Sequence, residues 1–121
     1  MWQSCTVNNV LDSVPSWLTV PEVAEILDIP VGRVRRLLEE HHLIGIKRDG
    51  ILSIPSEIIS EGETLPSLPG TIIVLLDAGL EYQAAFEWLY TFNESLPGTP
   101  MEFLLKGHKS AVRRLAMLLA L

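Results

Sequence analysis

Disulfides, membrane spans and metal motifs are all missing from this sequence. Its 121 residues hold one cysteine, Cys5, so no intramolecular disulfide can form. The longest apolar runs are Ile72–Leu76 and Leu115–Leu121. Both fall far short of the roughly 20 residues that a membrane helix needs. The first residues lack the basic stretch and apolar run of a secretory leader. The expected setting is the reducing cytoplasm, with no membrane partner. Histidine is scarce too, at positions 41, 42 and 108 only. No Cys-x-x-Cys, His-x-x-x-His or glycine-rich phosphate loop occurs, so no metal and no cofactor is expected. Cys5 has no base near it in sequence, and the chain is expected not to be an enzyme.

Charge is the next shortage. Charged residues make up 20% against 48% hydrophobic, and mean hydropathy is +0.31. That excludes disorder for most of the chain. It also leaves more apolar side chains than one small core hides, which points to a self-association or partner surface. Only nine Lys and Arg stand against fifteen Asp and Glu, a net charge of −6. A non-specific nucleic-acid coat does not look like that. A reader with its cations gathered on one face does. Between Val31 and Arg48 lie Arg33, Arg35, Arg36, Lys47 and Arg48 against Glu39 and Glu40, a local +3.

Four segments follow from pattern. Residues 1–16 are polar and unpatterned and read as an arm. Residues 17–60 are regular. Residues 61–70 carry two prolines and two glycines and read as a connector. Residues 71–121 are apolar with helical spacing.

In the second segment, Thr19-Val20-Pro21-Glu22 is a capping box with proline in the first turn. Val20, Val23, Ala24 and Leu27 continue it as one stripe. Pro30 disfavours the helical conformation at Ile29 and ends that helix. A second helix is expected from about Val31 to His41, burying Val31, Val34, Leu37, Leu38 and His41. Arg36 then points nearly opposite, with Gly32 beside it and Arg33 and Arg35 flanking. Two apolar-rich runs bracket Asp49-Gly50, a signal for a two-residue hairpin. Two short helices and a hairpin with Lys47 and Arg48 at its tip outline a winged helix-turn-helix. Such a helix fits a major groove, where outward arginines reach guanine edges and phosphates. Gly32 leaves room for a phosphate near the helix start. The candidate DNA-binding residues are Thr19, Pro30, Gly32, Arg33, Arg35, Arg36, Lys47 and Arg48, and the partner is double-stranded DNA.

In the last segment, Gly79 suits a helix C-cap. Ala85, Trp88, Leu89 and Phe92 recur at helical spacing. Thr99-Pro100-Met101-Glu102 repeats the capping box. The final helix sets Val112, Leu115, Ala116 and Leu119 on one face and Met117, Leu118 and Leu121 elsewhere. A helix apolar nearly all round is covered on two sides. Trp88, Leu115, Leu118 and Leu121 are therefore the candidate interface for a homodimer or a protein partner.

Leu18 to Pro30 resembles the opening of excisionase-like and MerR-like winged helix domains. Nearly the whole chain is similar to small actinobacterial winged helix-turn-helix DNA-binding proteins. Trp88-Leu89-Tyr90-Thr91 and the Leu96–Gly107 stretch resemble the C-terminal domain of Xre/MbcA/ParS-type antitoxins. The resemblance implies sequence-directed DNA binding and gene regulation. The implied fold is mainly α: a winged helix-turn-helix with a two-stranded wing, then a small C-terminal helical bundle. Two alternatives remain open, an antitoxin-like interaction module and a recombination directionality factor.

Overall fold

The computed structural model describes residues 14–60 and 62–119. Strand β1 spans Trp17–Thr19, followed by α1 (Val20–Leu27) and α2 (Val31–Glu39). Strands β2 (Ile46–Arg48) and β3 (Ile51–Pro55) form the hairpin. After a 3-10 turn at Ser56–Ile58, β4 (Ile59–Ser60) pairs with β5 (Glu63–Thr64). Four helices complete the chain: α3 (Leu68–Asp77), α4 (Tyr82–Leu89), α5 (Pro100–Leu105) and α6 (Lys109–Leu118). The described residues are thus about half helical, with two small antiparallel sheets.

Local chemistry explains most boundaries. The Thr19 hydroxyl accepts the Glu22 amide at 3.4 Å, and the Glu22 carboxylate accepts the Thr19 amide at 2.8 Å. Thr99 and Glu102 repeat this at the start of α5. Asp28 takes the left-handed conformation (φ 57°) and closes α1, its amide bonding the carbonyls of α1's last turn. Pro30 then opens α2 at φ −67°, the angle its ring imposes. Asp49 and Gly50 both have positive φ, 53° and 81°, as a type I′ turn requires.

The wing has three strands, not two. β3 is central, with β2 on one side and β1 on the other. Trp17 pairs with Pro55, Leu18 with Ile54 and Thr19 with Ser53. Thr19 has extended angles because an N-cap lies outside its helix, so the last strand residue also caps α1. Helix α2 stops two residues earlier than expected. His41 turns left-handed (φ 66°), and its ring stacks on Tyr82 at 6.3 Å instead of extending the Val34 stripe. Val31, expected inside, is 39% exposed. The 61–70 stretch holds β5 and the first turn of α3. Gly70 lies under the Arg113 guanidinium, which donates to the Ser67 carbonyl at 3.1 Å and the Thr71 hydroxyl at 3.3 Å.

One continuous core runs through both halves, from Val23, Val34 and Ile54 to Ile72, Phe86, Leu104 and Val112. Helix α4 supplies the joint. Tyr82, Phe86 and Tyr90 recur every four residues along α4 and its C-cap. The Tyr82 hydroxyl accepts the Gly45 amide at 3.0 Å, at the root of β2. Phe86 stacks on Trp17 at 5.9 Å and meets Tyr90 at 5.2 Å with the rings tilted by 33°. The Tyr90 hydroxyl donates to Glu57 at 2.7 Å. Burial pushes the Tyr90 phenol far above its ordinary pKa, which keeps it a donor. Burial also raises the Glu57 carboxyl, against the lowering effect of the Tyr90 bond.

Candidate nucleic-acid interface

Helix α2 buries Val34 completely and Leu37 and Leu38 in part. Its 3.6-residue period then sends Gly32 and Arg36 to the opposite side, with Arg35 and Glu39 beside them. Gly32, Arg33, Arg35 and Arg36 are all exposed. Arg33 leans away from the other two. It borders a shallow cleft with Leu27, Ile29, Gly62 and Glu63, on the side of the β4–β5 hairpin. The outer face therefore carries Arg35, Arg36 and a glycine, and Arg33 forms one flank.

The start of α2 is open. No side chain caps it, and the Pro30 carbonyl accepts the Arg33 and Val34 amides at 3.0 and 3.2 Å. A Cβ built on Gly32 would meet nothing within 4 Å. The glycine thus leaves free space on the outer face and is not needed for internal packing.

Lys47 and Arg48 are exposed at the end of β2, facing Leu52 and Ile51 across the ladder. Successive strand residues point to opposite faces, so the two cations leave the wing on different sides. Arg48 is not free-standing. Its Cζ lies 4.5 Å from the centroid of the Trp17 ring. Thr19 is also engaged, with its hydroxyl and amide both committed to the capping box.

The C-terminal residues expected at an interface are scattered. Trp88 and Leu115 are half-buried, Leu118 is 56% exposed, and Leu121 lies outside the described residues. Phe92 falls beyond α4 and is 63% exposed. The final helix buries Val112 and Ala116, while Met117 and Leu119 face solvent with Leu118. Among the described residues it is covered on one side only. The Leu96–Gly107 stretch has a local structural explanation, since Asn93 bridges Gly98 and Thr99 caps α5.

Sequence reasoning passed over Trp17 and the Tyr82–Phe86–Tyr90 stripe. Aromatics four apart were a signal for the stripe. Nothing local pointed from Trp17 to Arg48.

Among the described residues, no group of three or more His, Cys, Asp or Glu is placed to hold a metal ion. No helix among the described residues is long and apolar enough to cross a membrane.

A model described as "DNA-binding protein Rv2175c, wHTH domain" matches residues 6–59, and "Rv2175c C-terminal domain of unknown function" matches residues 65–120. The chain belongs to the Rv2175c family. It is 36% identical over 90 residues to the DNA-binding protein Rv2175c of Mycobacterium tuberculosis (strain ATCC 25618 / H37Rv). That alignment covers 74% of this chain and 62% of the relative, so the chain matches less than two thirds of the relative's length. The NMR structure of Rv2175c superposes with a TM-score of 0.79 at 29% identity. The superposition covers 88% of this chain and 82% of that one. The two family models meet around the β4–β5 hairpin, between the wing and α3.

Proposed function

We propose that this member of the Rv2175c family is a sequence-directed DNA-binding protein that regulates transcription. Helix α2 enters the major groove, with Arg35 and Arg36 toward base edges and Arg33 toward a flanking phosphate. The wing, through Lys47 and Arg48, lies on the backbone or in the minor groove. The observation that carries this reading is the exposed arginine face of α2 on a helix-turn-helix frame, beside a basic-tipped hairpin. The relative's name, a DNA-binding protein, supports it. An α-helix about 10–12 Å across with its side chains matches a major groove about 12 Å wide.

The test is one substitution with a control, after a bound sequence has been selected from random duplex DNA. Arg36→Ala removes an exposed side chain opposite the core, so the melting midpoint should hardly move. Exposed substitutions usually change stability by less than about 0.5 kcal/mol. A lost base or phosphate contact costs roughly 1–3 kcal/mol, or about 5- to 150-fold in affinity. Lys109→Ala, an exposed position at the start of α6, should do neither. Equal losses from both variants would mean diffuse electrostatics and sink the groove assignment.

Gly32→Ala separates folding from binding in the other direction. Alanine in place of glycine stabilises by about 0.4–1 kcal/mol where the backbone angles suit it, and the open space admits its methyl group. The variant should therefore melt higher. It should also bind DNA more weakly, because the methyl group blocks close approach of a phosphate. Unchanged affinity in calorimetric titration would remove Gly32 from the interface.

A further inference from the structure

We propose that Trp17 is a positioning residue that holds Arg48 in the orientation in which it meets a DNA phosphate. This rests on the DNA-binding reading above. Three groups follow one another from the core to the wing. Phe86, fully buried in the core, lies nearly parallel to Trp17, with 13° between the planes. Trp17 is also fixed through its backbone, as the start of β1 paired with Pro55. Arg48 lies over this anchored ring, 4.5 Å from its centroid, as the last residue before the wing turn.

Stacking occupies a face of the guanidinium. Its five N–H donors lie in the plane and point outward from the edge. An arginine laid on an indole therefore keeps its fork for two phosphate oxygens. It also arrives with its rotamers already restricted, so less freedom is lost on binding. Lys47, which points to the other face of the wing, has no such support among the described residues. The two wing cations differ in consequence: one is a held fork, the other a point charge on a long flexible stem.

A purely structural role for Trp17, tying the wing to α4, must be told apart from positioning. The slope of affinity against salt does this, because it counts phosphate contacts. Partial unfolding lowers apparent affinity by a similar factor at each salt concentration and leaves the slope in place. The full chain is titrated against a fluorescein-labelled mixed-sequence duplex over a range of KCl concentrations. Trp17→Met fills space against Phe86 without a ring face. It should bind roughly two- to fivefold more weakly at low salt, the worth of an exposed cation–π contact. Its slope should become shallower, toward that of Arg48→Ala, which should lose about one unit. Added to Arg48→Ala, Trp17→Met should change neither slope nor affinity further. Trp17→Phe, which keeps an aromatic face, should restore the wild-type slope.

A wild-type slope in Trp17→Met overturns the proposal. So does an equal loss from Trp17→Met with and without Arg48. If the unsubstituted chain binds the duplex without salt dependence, the DNA-binding reading has failed, and the positioning role falls with it. That result is distinct, because it appears before any substitution is made.

Discussion

Raising the salt concentration fourfold should weaken DNA binding by roughly 60- to 1000-fold, corresponding to a log–log slope of about −3 to −5. The range comes from the candidate cations. Five of them, Arg33, Arg35, Arg36, Lys47 and Arg48, are exposed on α2 and the wing. Full engagement of five phosphates gives a slope near −4.5 at about −0.9 per contact. Contacts to base edges make it shallower, because they release no phosphate counterion. The net charge of −6 also acts on the slope. Acidic residues repel the duplex, and added salt relieves that repulsion as it weakens the attraction. The measured value should therefore lie toward the shallow end for a specific site and the steep end for mixed sequence. A titration flat in salt would contradict groove binding through these residues.

What the sequence made legible was whatever neighbouring residues decide. The capping boxes at Thr19 and Thr99, the break at Pro30 and the Asp49-Gly50 turn each depend on a few consecutive side chains. The outward arginines of α2 were equally readable, because helical periodicity places them once Val34 is known to be inside. Strand β1 was not readable. It has three residues, and its partner on β3 lies 34 to 38 positions further along the chain. No local pattern reports such a pairing. Helix α4 failed for a different reason. It has apolar residues on more than one face, so spacing allows a stripe through Trp88 and Phe92 as well as one through Tyr82, Phe86 and Tyr90. Only the position of the winged domain decides between them. The Trp17–Arg48 contact combines both difficulties, since it needs β1 beside the hairpin and α4 behind it.

Phe86→Ala should be strongly destabilising, costing about 3–5 kcal/mol. Phe86 is 1% exposed and packs between Trp17 and Tyr90. Its removal leaves a cavity where the C-terminal helices meet the wing. Small domains are stable by about 5–15 kcal/mol in total, so a large share of the margin disappears. The midpoint of thermal unfolding should fall by roughly 10–20 °C. Phe92→Ala is the matched control. That ring is 63% exposed, and its loss should shift stability by less than about 0.5 kcal/mol. The shape of the transition carries the stronger test. Because one core spans both halves, Phe86→Ala should unfold in a single step, with aromatic and backbone signals changing together. Two separated transitions would mean that the winged half folds without α4. Trp17 would then have no fixed ring behind it, and the wing would hold Arg48 no better than it holds Lys47.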